Sequence, residues 1–183
     1  MTQNLQSIAE LKELVRTIPN FPHEGIMFRD ITTLLADAGG MKSVIDHLAK
    51  RYESHSIDYI AGVESRGFIL GAALAYKLDK GFIPLRKKGK LPGKTVEQSY
   101  SLEYGSAIME IHEDAYPAGS RILIIDDLMA TGGTAECAIH LVEKIGGKVV
   151  EVAVVIDLPE LGGGERLRSL GHQFFTLMDF EGH

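Results

Sequence analysis

Residues 149–156 read Val-Val-Glu-Val-Ala-Val-Val-Ile, a β-branched run with almost no polar alternation. A strand that is apolar on both faces must be covered on both, so this run predicts a central strand between layers of helices. Shorter runs repeat the signal at Ile57–Val63, Phe82–Leu85, Arg121–Ile125 and Gln173–Met178. Helical patterns lie between them, at Phe68–Leu78 and at Glu136–Ile145, the second stopped by Gly146-Gly147. Strands alternating with helices predict an α/β fold, a parallel sheet flanked by helices. Two more amphipathic helices precede the first strand. One is read over Ser7–Ile18, where Ser7 and Glu10 form a capping box and Ile8, Leu11, Val15 and Ile18 share a face. The other carries Met41, Val44, Ile45, Leu48 and Tyr52 after a break at Gly39-Gly40. Gly162-Gly163-Gly164 reads as a flexible loop.

The segment between Leu85 and Ala107 has no helical period and is too long for a plain connection, which suggests a lid or binding loop. Its second half alternates and predicts a two-stranded flap, Val96–Tyr104 against Ser106–His112, with Gly105 at the turn. Its first half concentrates Arg86, Lys87, Lys88, Lys90 and Lys94 in a chain of net charge −6. One basic segment on an acidic protein suits a small anionic ligand and argues against nucleic acid. At 183 residues, with 45% hydrophobic and 24% charged, the composition fits a single globular domain, 1–183. No apolar stretch approaches the ~20 residues of a membrane span, and Met-Thr-Gln-Asn-Leu-Gln-Ser has no signal-peptide pattern. The single cysteine, Cys137, leaves no internal disulfide or cysteine zinc site, suits a reducing cytoplasm, and lies in an apolar helix as filler.

The richest constellation is Asp126-Asp-Leu-Met-Ala-Thr-Gly-Gly-Thr134, placed after an apolar strand and opening a helix. In open parallel sheets ligands sit at the carboxyl ends of strands. Asp126 and Asp127 there can accept hydrogen bonds from a vicinal diol or help hold a hydrated magnesium ion. Ala130, Thr131, Gly132, Gly133 and Thr134 supply converging N–H groups, hydroxyls and a helix N-terminus, which together suit a phosphate. One end of the loop favours a sugar diol and the other a phosphate, so a ribose 5-phosphate satisfies both. No lysine follows the glycines as a P-loop requires, and Gly-x-Gly-x-x-Gly is absent. A second constellation, Glu64-Ser-Arg-Gly67, also joins a strand to a helix. Ser65 can cap that helix, and Arg66 offers a planar donor for phosphate oxygens. Taken alone, these residues read equally well as a capped helix with a surface arginine.

Together with Phe21-Pro-x-x-Gly25, Phe28-Arg-Asp-Ile31, Arg86-Lys-Lys-Gly-Lys-Leu-Pro-Gly93 and Ser99-Tyr-Ser-Leu-Glu-Tyr-Gly105, these motifs resemble the type I phosphoribosyltransferases, and within them the branch that acts on adenine. The resemblance runs from about Ile8 to Met178. It implies a small N-terminal hood within 1–35, a flexible flap within 86–112, and transfer of 5-phosphoribosyl from phosphoribosyl pyrophosphate to adenine, giving AMP and pyrophosphate in purine salvage. Magnesium would accompany the pyrophosphate, and the enzyme would be a homodimer. Asp126, Asp127 and Ala130–Thr134 would hold the phosphoribosyl group. Glu64, Ser65, Arg66, Arg86, Lys87 and Lys90 would hold pyrophosphate, with a non-proline cis peptide before Ser65. Phe28 would stack on adenine with Leu128 opposite, and the backbone of Met27 and Arg29 would read its edge. Glu103, aided by Tyr104 and Arg66, would handle the proton and the leaving group. A ligand-sensing regulator on the same fold would need a DNA-binding domain, for which residues 1–20 are too few. A phosphorylation receiver would carry its acidic pair after the first strand.

Overall fold

A computed structural model describes residues 5–101 and 106–182. The chain opens with α1 (Ile8–Glu13), where Ser7 Oγ accepts from the Glu10 N–H and the Glu10 carboxylate accepts from the Ser7 N–H at 2.7 Å, the expected capping box. The helix does not continue to Ile18. Residues 16–19 form β1 (Arg16–Pro19), which pairs antiparallel with β2 (Met27–Asp30) in a separate two-stranded sheet. Pro19 pushes Ile18 toward extended backbone, and pairing with β2 keeps Arg16 and Thr17 extended as well. A short helix, α2 (Thr32–Ala36), was not foreseen. It leads into α3 (Ala38–Tyr52), whose first turn contains Gly39 and Gly40 rather than following them. Asp37 caps it by accepting from the Gly40 N–H at 2.7 Å. A Cβ at Gly40 would stand 2.6 Å from Leu14, so the glycine permits a close approach and does not break the helix.

The remaining elements follow in order as β3 (Tyr59–Val63), α4 (Arg66–Leu78), β4 (Gly81–Lys87), β5 (Thr95–Ser101), β6 (Ser106–His112), β7 (Arg121–Met129), α5 (Gly133–Lys144), β8 (Lys148–Asp157), α6 (Gly163–Ser169) and β9 (Phe174–Asp179). Seven strands make one sheet in the order β5-β6-β4-β3-β7-β8-β9. The pairs from β4 through β9 are parallel, while β5 and β6 form an antiparallel hairpin on the β4 edge. Helices cover both faces. Leu123 and Ile125 of β7 pack in a cluster with Leu48 of α3 and Leu70 of α4, while Ile122 and Ile124 pack with Ile139 and Val142 of α5. Full burial of such a side chain contributes about 1.5–3 kcal/mol, which is why the continuous apolar runs end in the middle of the sheet. Among the described residues no helix is long and apolar enough to cross a membrane.

Two expectations shift here. β7 extends through Met129, so Asp126 and Asp127 belong to the strand rather than following it, and α5 begins at Gly133 instead of Glu136. Gly162–Gly164 is not a loop either: Gly162 turns with φ 74, and Gly163 and Gly164 start α6.

Candidate active site

A cavity of about 400 Å³ opens at the carboxyl ends of β3 and β7. Its floor and one wall come from the segment that links β7 to α5. Leu128, Ala130, Thr131, Gly132, Gly133 and Thr134 all line it, and Gly133 and Thr134 begin α5, whose first turn carries N–H groups with no side-chain cap. Gly132 holds φ 87, a left-handed conformation in which a side chain would be strained.

Asp126 and Asp127 line the same cavity. Asp127 is buried and accepts a hydrogen bond from Arg66 Nε. Asp126 Oδ1 accepts from the Asp127 N–H at 2.8 Å. Burial, and then the negative charge of Asp127, push the Asp126 carboxyl well above the usual carboxylate range. Burial opposes the charge on Arg66, but Asp127 and, more weakly, Asp126 and Asp30 outweigh it and raise its pKa. Arg66 is therefore held by acids on one side and remains partly open on the other.

The Glu64–Ser65 peptide is cis, and Glu64, Ser65 and Arg66 form the wall facing the β7 segment. Ser65 occupies the N-cap position of α4, yet its hydroxyl makes no capping bond, contrary to the sequence expectation. The first N–H groups of α4 thus lack a side-chain acceptor beside the cavity. Gly67 brings this turn against β7: a Cβ there would lie 2.7 Å from the Ile125 carbonyl oxygen and 3.1 Å from Asp126 Oδ1. The Glu64 carboxylate accepts from the Lys87 N–H at 3.0 Å and from Arg86 Nε at 3.3 Å. Burial would raise its pKa, but these donors prevail and lower it.

Lys87 reaches the cavity wall, whereas Arg86 and Lys90 do not. Arg86, bonded through Nε to Glu64, also donates from Nη1 to the Lys90 carbonyl at 2.8 Å, and the Lys90 N–H donates to Glu110 Oε1 at 2.8 Å. Glu110, which sequence reading passed over, is 2% exposed and organises the basic segment by also accepting from the Leu91 N–H at 2.7 Å. Its signal was an acid inside the apolar run Ala107–Ile111. Tyr100 is a second addition. It lines the cavity, and burial, Cys137 and then Asp126 push its hydroxyl pKa up. Its strand rests on α5, where the Cys137 thiol donates to the Gln98 carbonyl and Lys144 Nζ donates to the Glu97 carbonyl at 3.0 Å. Burial raises the Cys137 thiol to about 11, as expected of filler rather than a nucleophile.

Met27, Phe28 and Arg29 lie together on β2 and are not among the residues that line this cavity; of the expected base-pocket residues, Leu128 lines it. Phe28 is half-buried and meets Phe21 edge-on, with ring centroids 5.1 Å apart. The Arg29 side chain is committed elsewhere, donating to Thr17 Oγ1 and to the Glu181 carbonyl, each at 2.6 Å. Glu103 and Tyr104 lie outside the described residues.

Residues 31–166 match the family model described as "Phosphoribosyl transferase domain". The chain is 56% identical over 171 residues to adenine phosphoribosyltransferase of Nitrosomonas europaea, covering 93% of this chain and 98% of that one. It superposes on the crystal structure of adenine phosphoribosyltransferase from Thermoanaerobacter pseudethanolicus with a TM-score of 0.90 at 45% identity, covering 95% of this chain and 100% of that chain. The corresponding Saccharomyces cerevisiae enzyme, solved with an imino-altritol bisphosphate and adenine, gives a TM-score of 0.87 at 42% identity over 93% of this chain and 98% of its own.

Proposed function

The chain belongs to the phosphoribosyl transferase family, and within it to the adenine phosphoribosyltransferases, and we propose how its cavity performs their reaction. The enzyme transfers 5-phosphoribosyl from phosphoribosyl pyrophosphate to adenine, giving AMP and pyrophosphate. Asp126 and Asp127 take the ribose hydroxyls, while the N–H groups and hydroxyls of Ala130–Thr134 take the 5-phosphate. Pyrophosphate lies against Ser65, Arg66 and Lys87, with Glu64 holding the Lys87 backbone in place. Arg86 and Lys90 join when the 86–112 flap closes. The bond from the anomeric carbon to pyrophosphate lengthens to an oxocarbenium-like state, in which Arg66 and Lys87 neutralise the leaving group and the flap excludes water. Phe28, in a hood within 1–35, stacks on adenine against Leu128, and the Met27 and Arg29 backbone reads the base edge. Glu103 governs the proton on the imidazole side of adenine as the neighbouring nitrogen attacks, and Tyr104 supports the closed flap.

Magnesium belongs to the same proposal. Among the described residues no group of three or more His, Cys, Asp or Glu stands close enough to cage an ion. Asp126 and Asp127, paired at the cavity, would hold such an ion through water. When bound, the ion would supply charge neutralisation on the pyrophosphate. A homodimer is proposed as well, supported by the outer face of α4, where Ile69 and Tyr76 are 49% and 91% exposed at helical spacing. A monomer in sedimentation at assay concentration would remove it. A single cysteine supports a cytoplasmic setting.

One observation carries the reading: the acid pair and the α5 N-terminus line one cavity with Arg66 and Lys87. Incubation with phosphoribosyl pyrophosphate, magnesium and each nucleobase tests it. AMP from adenine is expected. Nucleotide from hypoxanthine or guanine but not adenine would overturn the base assignment.

A further inference from the structure

The connection behind the phosphate loop is packed as tightly as the loop itself. After β8 the chain makes a short turn, Pro159–Leu161, and enters α6 through three consecutive glycines. Each glycine answers a different demand. Gly162 has φ 74 and open space around it, so it serves the turn. A Cβ at Gly164 would stand 2.5 Å from the Phe174 ring, a side chain. Gly163 has no positive φ, so its backbone would accept alanine. Its obstacle is contact: a Cβ there would lie 2.2 Å from the Ala130 carbonyl oxygen, 2.8 Å from the Gly132 nitrogen and 2.8 Å from Met129 Sδ. Two of these atoms are backbone of the phosphate loop.

The contact is reciprocal. The Gly163 N–H donates to the Ala130 carbonyl at 3.0 Å. A Cβ at Gly132 would lie 3.2 Å from both the Cα and the carbonyl oxygen of Gly163. Two glycine backbones therefore meet with no side chain between them. One turn further on, Arg166 of α6 pairs with Glu136 in the first turn of α5 at 2.5 Å. The start of α6 thus holds the loop at Ala130 and again just beyond Thr134.

We propose that Gly163 is a positioning residue for the phosphoribosyl group: its N–H anchors the Ala130 carbonyl from behind the loop, and its bare Cα lets Gly132 sit where the following N–H groups face the cavity. This rests on Ala130–Thr134 being the sugar-phosphate site. Mispositioned donors weaken binding without removing any contact residue. Gly163 touches no substrate atom and acts only through the loop.

The test compares wild type, Gly163→Ala and Gly164→Ala. Steady-state kinetics is run with both substrates, calorimetry with ribose 5-phosphate, and hydrogen exchange on the wild type. Gly163→Ala is expected to raise the phosphoribosyl pyrophosphate KM and the ribose 5-phosphate Kd at least tenfold, while the adenine KM stays within threefold. Gly164→Ala is expected to lower Tm but keep both KM values within threefold. In the wild type, ribose 5-phosphate should slow exchange of the Gly163 N–H together with those of residues 131–134, a readout that stands even if Gly163→Ala fails to fold. Protection at 131–134 without protection at Gly163, or a wild-type Kd in Gly163→Ala, overturns the role of Gly163 alone. No protection at 131–134 overturns the phosphate-loop reading itself, and the role of Gly163 with it.

Discussion

Asp127→Asn separates the structural work of the acid pair from its binding work, because the two predict changes of different size. Asp127 is buried, and its partner Arg66 has a side chain 45% exposed. Removing one member of a fully buried pair costs about 3–5 kcal/mol, but an exposed pair is worth about 0–1 kcal/mol. Half-open Arg66 can turn to water, so the loss should be about 1 kcal/mol. Relief of Asp126 from its charged neighbour offsets part of it. A chain of this length moves about 2–4 °C per kcal/mol, so Tm should fall by no more than about 4 °C. Binding should suffer more. A hydrogen bond to a charged group contributes about 1.5–3 kcal/mol, which is roughly 10- to 150-fold in affinity. The phosphoribosyl pyrophosphate KM should rise by that factor with kcat within a few-fold, since a ribose hydroxyl is held alike in ground and transition states.

The same variant carries a pH signature. Burial and the Asp127 charge raise the Asp126 pKa, so Asp126 loses its carboxylate form as pH falls through a value above the usual range. If substrate binding needs that carboxylate, affinity has an acid limb, and Asp127→Asn should move the limb to lower pH. Initial rates across pH with differential scanning fluorimetry supply all three quantities. A normal KM and an unmoved acid limb beside a lowered Tm would show that Asp127 only anchors Arg66, and the diol assignment would fall.

Three further outcomes are expected. Glu103→Gln should lower kcat by about 100-fold or more, the lower end of general acid–base effects, with a smaller change in the adenine KM, and normal turnover would remove Glu103 from proton handling. Phe28→Ala should raise the adenine KM by roughly 5- to 150-fold, from a stacking contribution of about 1–3 kcal/mol, and leave the phosphoribosyl pyrophosphate KM near normal; equal changes in both would place Phe28 in the fold rather than on the base. Asp30 accepts from Thr32 and Arg16, which lowers its pKa to about 2, below the unfolded value, so it stabilises the fold above about pH 4 and that contribution disappears as pH falls through about 2. Asp30→Asn should therefore lose roughly 1–2 kcal/mol in urea denaturation at pH 7 but little at pH 2. An equal loss at both pH values would refute the linkage.

The central sheet was legible because its strands are continuous apolar runs, and burial on both faces leaves that mark in a local window. The same holds for Ser7 and Glu10, whose capping bonds span three residues. What failed was decided at longer range. Ile8, Leu11, Val15 and Ile18 do keep a helical spacing, but residues 16–19 gain partners from residues 27–30, which no local window contains. The basic segment suggested an anion site by composition alone. How its members are arranged depends on Glu64 and Glu110, which bind Arg86 and the Lys90 backbone from outside the segment. The glycines of α6 carried no local meaning, because a contact with Ala130 accounts for one of them and the Phe174 ring for another.

The extension of β7 through Met129 changes how the site divides its work. Pairing with β8 continues to Met129↔Asp157, and the Leu158 N–H donates to the Met129 carbonyl at 3.0 Å. Asp126 and Asp127 therefore sit on paired strand, where moving the backbone that carries the carboxylates means breaking ladder hydrogen bonds. The segment proposed to take the phosphate has no such ladder. Its shape depends on the left-handed backbone of Gly132 and on the contact with Gly163. On the proposed assignment, a rigid sugar end and a braced phosphate end should respond unequally to perturbation. Denaturant too weak to unfold the sheet should loosen the hold on ribose 5-phosphate before it disturbs the acid pair. Hydrogen exchange at Thr131–Thr134 should accordingly rise at lower urea than exchange at Asp126–Leu128. Simultaneous release of the two segments would mean that the loop draws its order from the sheet alone.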